Sequence, residues 1–230
     1  MKLILLVLCI SSLLCGCESE HAPEYFYQAE VCQGKGEYEK ANMYLNMVIE
    51  ERPLLRKAYL SRGANKAALN DFKGAIEDYR KVIAIDPDNT LAHYNIANNY
   101  ANLGKLERAL EFYRKALCHS DRDRGLLRID MPSTPNILME FDSDFQLAGY
   151  EINLGIALVE FDLGNYEESK SRITDPLNTG YAIDLCNLIY AKCLINQDSI
   201  PAACSFLDLS RRLNNDEAHL LYARHCINED

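Results

Sequence analysis

The chain has 230 residues, 48% of them hydrophobic, 25% charged and none tryptophan, a balance that supports a folded core and excludes a disordered or collagen-like chain. Its 34 aspartates and glutamates outnumber 24 lysines and arginines, giving a formal net charge of −10. Such a surface repels phosphate backbones and excludes nucleic acid as the expected partner.

In chain order, Met1-Lys2 is followed by the apolar run Leu3 to Ile10 and then by Ser11-Ser12-Leu13-Leu14-Cys15-Gly16-Cys17. A charged start, a short apolar stretch and a small residue form an export signal, and the stretch falls short of the roughly twenty residues that span a bilayer. Leu14-Cys15-Gly16-Cys17 resembles the lipobox of bacterial lipoproteins. The resemblance implies a signal peptide over 1–16, lipidation of Cys17 with palmitate-like chains, and a short tether over 17–21. Each buried CH₂ of an acyl chain contributes about 0.8 kcal/mol to membrane association. Glu18 follows the cysteine, so the aspartate that retains such proteins in the inner membrane is absent. The implied location is the bacterial cell envelope, at the outer membrane rather than the inner, facing the periplasm or the cell surface. A plain secretory signal cut near Gly16 is the other reading.

Beyond the tether, Ala41, Ala75 and Ala109; Leu45, Tyr79 and Tyr113; Val48, Val82 and Ala116; Gly63 and Ala97; and Pro53 and Pro87 recur every 34 residues. Tyr25, Tyr59 and His93 open each unit, and Tyr38, Phe72 and Leu106 mark its inner turn. This period and pattern resemble the tetratricopeptide repeat. Units are expected at 22–55, 56–89 and 90–123. In the second, helices over Lys57–Leu69 and Phe72–Ala84 are predicted to approach closely across Gly63 and Ala75, with Pro87 as the stop. Leu103-Gly104 supplies the inner turn of the third, glycine taking the left-handed position.

Residues 124–149 break this register with Met131-Pro132-Ser133-Thr134-Pro135 and read as a loop or lid; Ser143 and Gln146 suggest that helix resumes near Asp144. Leu163-Gly164-Asn165-Tyr166 matches Leu103-Gly104-Lys105-Leu106, which places two degenerate units at 150–183 and 184–217 and a cap helix over 218–230. In the fourth, Ile156, Ala157 and Ser169 take the small-residue slots, and Thr174-Asp175-Pro176 is expected to cut the second helix short. The whole is an all-α, right-handed α-solenoid of about five helix-turn-helix repeats with a C-terminal cap helix.

No nucleophile motif, P-loop or zinc-ligand spacing is present, so no enzyme activity, cofactor or metal is expected. Cysteine is the unusual count. Cys186, Cys193 and Cys204 stand where the repeat holds small core residues, and free cysteine packs as a small hydrophobe. A disulfide among Cys193, Cys204 and Cys226 is the competing reading, since exported chains oxidise their thiols. The rival function that follows is a thiol- or metal-dependent envelope enzyme at this end.

The resemblance implies a partner-binding groove lined by the first helix of each unit: Phe26 and Glu30; Leu60; Tyr94, Asn95, Asn98 and Asn102; Leu158 and Phe161; Leu188 and Lys192. Asn95, Asn98 and Asn102 fall on one helical stripe, and primary amides suit a peptide backbone. The residues by which some relatives clamp a chaperone's C-terminal carboxylate are replaced here by Phe26, Glu30, Ser61, Leu91 and Asn95. The expected function is therefore a membrane-anchored scaffold or adaptor holding a segment of an envelope protein. Glycan binding beneath the lid, stacked on Tyr94 and Phe161, is a third reading, and Glu140, Asp142 and Asp144 give that lid an acidic edge.

Overall fold

The computed structural model describes residues 21–122 and 147–227. Eleven helices lie among them: α1 (Ala22–Gly34), α2 (Tyr38–Glu51), α3 (Arg56–Ala68), α4 (Phe72–Ile85), α5 (Thr90–Asn102), α6 (Leu106–Arg122), α7 (Gly149–Asp162), α8 (Tyr166–Thr179), α9 (Ile183–Asn196), α10 (Ile200–Arg212) and α11 (Asp216–His225). Consecutive helices pack as antiparallel pairs, each pair stacks on the next, and α11 closes the series as a single helix against α10. The fold is an α-solenoid. The signal region, Cys17, the resumption of helix near Asp144 and the acidic residues Glu140, Asp142 and Asp144 lie outside the described residues.

The turn within each pair repeats one backbone device. Gly36, Gly104 and Gly164 adopt φ of 75, 68 and 80°, and the residue after each returns its amide to a carbonyl five residues earlier, as in Lys105 to Tyr100 at 2.9 Å and Asn165 to Glu160 at 2.8 Å. In the second and fifth pairs Asn70 (φ 61°) and Asp198 (φ 55°) take that place, the two non-glycine types that reach the left-handed region most readily. The turn between pairs repeats as well. Tyr59 donates its hydroxyl to the Pro53 carbonyl at 3.0 Å, and His93, 34 residues later, places Nε2 2.9 Å from the Pro87 carbonyl. Because a carbonyl only accepts, His93 carries its proton on Nε2. Burial holds its pKa below the ordinary value.

Within a pair, approach is set by what faces the helix-two aromatic. A Cβ on Gly63 would sit 2.8 Å from the Tyr79 ring, and one on Gly155 would sit 2.7 Å from the Tyr113 ring. Gly63 faces the tyrosine of its own pair. Gly155 instead receives Tyr113 across the junction of α6 with α7, so the third and fourth pairs stack directly. One apolar cluster accordingly runs from Tyr59 and Tyr79 through Ile96 and Tyr113 to Ile152, Ile156 and Val159. Smaller clusters hold the ends: Phe26, Ala29, Leu45, Val48 and Ala58 at one, and Leu188, Ala191, Ala203, Leu207 and Ala218 at the other.

Polar groups also hold the second pair together and join it to the first. Asp78 is buried and receives Arg62 Nη2 at 2.6 Å and Lys66 Nζ at 2.8 Å; Asn65, also buried, accepts from Gln33 at 2.6 Å and donates to Asn42 at 2.9 Å. A buried carboxylate holding two cations is costly to break from one side.

One expectation is corrected. Thr174-Asp175-Pro176 does not end α8, which continues through Pro176 to Thr179 and stops at Gly180 in the left-handed region. Pro176 lies in the last turn, where its missing N–H removes one helical bond, its ring is buried, and Thr179 Oγ1 donates to its carbonyl at 2.9 Å. The start of α7 is also local: Glu151 accepts the Ala148 amide at 3.2 Å.

Two glycine substitutions separate these effects in urea unfolding. Gly164→Ala, with no atom near the new methyl, is expected to lose about 1–2 kcal/mol through backbone conformation alone, and Gly164→Asn less. Gly63→Ala should lose about 1–3 kcal/mol by forcing the Tyr79 ring aside, and Tyr79→Leu should rescue it but leave Gly164→Ala unchanged.

Candidate partner-binding face

The first helices of the pairs, α1, α3, α5, α7 and α9, supply every groove position read from the sequence. Of these α7 touches both α5 and α9, so the central three form one continuous surface. The named residues divide by burial. Leu60 (6% exposed) and Leu188 (3%) are core residues that present little area to a partner, whereas Leu158 (38%) and Tyr27 (59%), beside Phe26, are exposed. Tyr94, Asn95, Asn98, Phe161 and Lys192 are half-buried, and Asn102 and Glu30 are exposed.

The asparagine stripe is partly occupied within the chain. Tyr113 donates its hydroxyl to Asn98 Oδ1, and Asn99 Nδ2, one position off the stripe, binds the Asn95 carbonyl at 2.6 Å. Asn98 also hydrogen-bonds to the Tyr94 hydroxyl, offsetting part of the upward push that burial gives its pKa. Tyr94 meets the Tyr113 ring edge-on at 5.6 Å. Asn98 is therefore a positioning group for two tyrosines.

At one end of the face a pocket of about 240 Å³ opens between α1 and α3, lined by Ala22, Phe26, Tyr27, Glu30, Leu55 and Lys57 among others. Lys57 covers the Phe26 ring at 4.6 Å and pairs with Glu30 at 3.3 Å. At the other end Lys192 stands 6.0 Å from the Phe161 ring and 2.5 Å from Glu217 of α11. Each end thus combines an aromatic ring, a lysine and a carboxylate.

Family models described as TPR repeat and tetratricopeptide repeat match residues 63–104 and 94–118. Residues 63–118 therefore carry tetratricopeptide repeats. Among curated relatives, the CTR9 homolog of Arabidopsis thaliana is 31% identical over 103 residues, 43% of this chain and 9% of that protein. A TPR repeat-containing protein of Methanocaldococcus jannaschii is 33% identical over 95 residues, 40% of this chain and 16% of its own length. The chain spans between 8% and 16% of the length of the curated relatives it matches. Solved tetratricopeptide structures align along most of the chain. MamA of Desulfovibrio magneticus superposes with a TM-score of 0.67 at 13% identity over 86% of this chain and 97% of its own. PilW, described as a type IV pilus biogenesis factor, gives 0.65 at 14% over 89% and 91%; YrrB, described as having an unusual peptide-binding site, gives 0.61 at 14% over 87% and 90%. At these identities the likeness is one of fold.

Packing between helix pairs accounts for two of the cysteines. Cys186 and Cys193 are buried in the core of the fourth and fifth repeats with Ile173 and Ile189. Burial pushes the Cys186 thiol up to about 11 and raises that of Cys193, the reverse of what a nucleophile needs. Cys204, read with them as a core residue, is instead joined to Cys226 in a disulfide, which ties α10 to the residue after α11. Of the three candidates Cys193 stays free. Among the described residues no group of three or more histidine, cysteine or acidic side chains could hold a metal ion.

Three groups escaped sequence reasoning: Glu151, Tyr150 and Tyr181. Tyr150 and Glu151 stand at the first turn of α7, and Tyr181 precedes α9 in a turn whose backbone runs through left-handed Gly180 and Ala182. A repeat pattern assigns no role to residues at these irregular junctions.

Alkylation at pH 8 with peptide mapping should label Cys118, which is exposed, within minutes, and Cys32, Cys186 and Cys193 only after unfolding. The raised Cys186 thiol contributes stability that is complete below pH 9 and lost as pH climbs towards 11. The disulfide closes a loop of sequence separation 22, worth about 3 kcal/mol by the loop-entropy model; reduction, or Cys204→Ser with Cys226→Ser, should first strip hydrogen-exchange protection from α11.

Proposed function

We propose that this tetratricopeptide chain is an adaptor without catalytic chemistry: the face built from α1, α3, α5, α7 and α9 receives an extended or helical segment of another protein, and lipid at Cys17 holds the complex at the bacterial envelope membrane. The pocket between α1 and α3, with exposed Tyr27 beside it, is the observation that carries the binding half. It lies on helices whose other side is fully committed to the core, so its aromatic area is available for a partner. The fold shared with PilW and YrrB supports a protein-interaction role. The lipobox-like Leu14-Cys15-Gly16-Cys17 supports the envelope location, and no described helix is long and apolar enough to cross a membrane. A thiol enzyme draws no support from two buried, high-pKa cysteines and a third bound in a disulfide.

Cross-linking in cells followed by mass spectrometry of captured proteins tests both halves. Tyr27→Ser with Leu158→Asp alters exposed side chains and is expected to lose a discrete partner while retaining its unfolding temperature. Cys17→Ser should keep that partner in vitro and move the chain from membrane to soluble fractions. Tyr94→Ala with Asn98→Ala is a poorer choice, because it removes the acceptor of the Tyr113 hydroxyl. Unchanged partners in the Tyr27/Leu158 variant would sink the groove, and unchanged membrane association of Cys17→Ser would sink the anchor.

A further inference from the structure

We propose that the middle of this face holds a receptor for a cationic side chain, built from Tyr94, Tyr150, Tyr181 and Glu151, so that the segment it binds presents a lysine or arginine there. The proposal rests on the adaptor reading and names the partner chemistry of its central site.

The four residues come from the N-terminal ends of three adjacent first helices. Tyr94 stands near the start of α5, Tyr150 and Glu151 in the first turn of α7, and Tyr181 in the turn that enters α9. The rings of Tyr150 and Tyr181 lie 5.1 Å apart at 48°, a tilted rather than stacked pair. Tyr181 is 37% exposed, and Tyr94 and Tyr150 are half-buried. Burial raises the Tyr181 hydroxyl's pKa, and Glu151, Tyr94 and Tyr150 lie close enough to raise it further. Glu151 acts on Tyr94 in the same direction. The Tyr94 and Tyr181 hydroxyls are thereby held in their neutral form beside the Glu151 side chain.

Comparison with the ends of the same face gives the cluster its meaning. Phe26 carries Lys57 over its ring, with Glu30 alongside, and Phe161 has Lys192 near it, with Glu217 alongside. Ring, carboxylate and lysine occur together twice. In the centre the rings and the carboxylate recur, but among the described residues Glu151 pairs with no lysine or arginine; its partner is the Ala148 backbone amide at 3.2 Å. Arg172 of α8 is engaged by Glu168 at 2.9 Å and by Asn153 at 3.5 Å. A chain of net charge −10 also steers a cationic segment towards itself. Tyrosine faces attract a cation within about 6 Å of the ring centre, more strongly once it is desolvated, and the carboxylate adds a charged acceptor. An anionic or purely apolar segment would leave Glu151 facing like charge or desolvated.

The probe is a library of random twelve-residue peptides displayed on phage and selected on the immobilised chain, with binding of the enriched peptides then measured by calorimetry. Lysine or arginine should be enriched, and Glu151→Gln, which keeps an acceptor for the Ala148 amide, should weaken the selected peptides by about tenfold, as should Tyr181→Ala. Replacing the peptide's basic residue by norleucine or citrulline should cost the same against the parent chain and little against Glu151→Gln. Melting curves verify that both variants fold. Enriched peptides without basic residues, lost on Leu158→Asp but indifferent to Glu151→Gln, would overturn the cation site and leave the groove standing. Peptides indifferent to every variant on this face, or no enrichment at all, would overturn both.

Discussion

Everything else in this molecule depends on how closely the helices approach, and that distance is set by a tyrosine ring pressed against a residue with no side chain. Tyr79 lies on Gly63 and Tyr113 on Gly155, with too little room for a methyl group in either case. Burial of the two rings keeps both phenols protonated far above neutral pH. The ring fills the space that two backbones leave at such short range, and dispersion contacts along it hold the pair. Because this contact recurs along the chain, no unit needs a core of its own, and stability is shared between neighbours.

The two uses of the contact differ in consequence. Gly63 against Tyr79 closes a pair, whereas Gly155 against Tyr113 joins two pairs that lie far apart in the sequence. The second keeps the stack continuous between α6 and α7, so α5, α7 and α9 stand side by side and the central tyrosines meet. The same hydroxyl that seals this junction also fixes Asn98, and the face and the core are thereby coupled through one side chain. Along the stack the character of the contacts also changes. The second pair is tied internally by Asp78 with Arg62 and Lys66 and meets the first through Asn65 and an apolar cluster around Ala58, the middle packs through apolar residues, and the far end through a small core and a disulfide.

The repeated turn explains why a degenerate second half still folds. The left-handed position is filled by Gly36, Asn70, Gly104, Gly164 and Asp198, so a sequence search for glycine misses two of five while the backbone keeps all five. Tyr59 and His93 show the same economy: different rings at equivalent positions reach equivalent proline carbonyls. What recurs is a hydrogen-bonding and steric requirement, and more than one residue type meets it.

The sequence by itself determined the architecture, because a 34-residue period of small, aromatic and proline residues is a local signal that each unit writes in full. The groove positions were named from the resemblance to the repeat, unit by unit. The sequence misjudged Pro176, where position in the last turn of α8 outweighs the residue's general dislike of helices, and it could not choose between core packing and pairing for Cys204, because a disulfide requires two backbones to meet. Only the tertiary structure decided which face residues are available. Leu60 and Leu188 are covered by neighbouring helices, Asn98 is taken by Tyr113, and Tyr150, Glu151 and Tyr181 come together at junctions between units. Exposure and convergence arise from the stacking of separate units, and a pattern within one unit carries no information about what the next will cover.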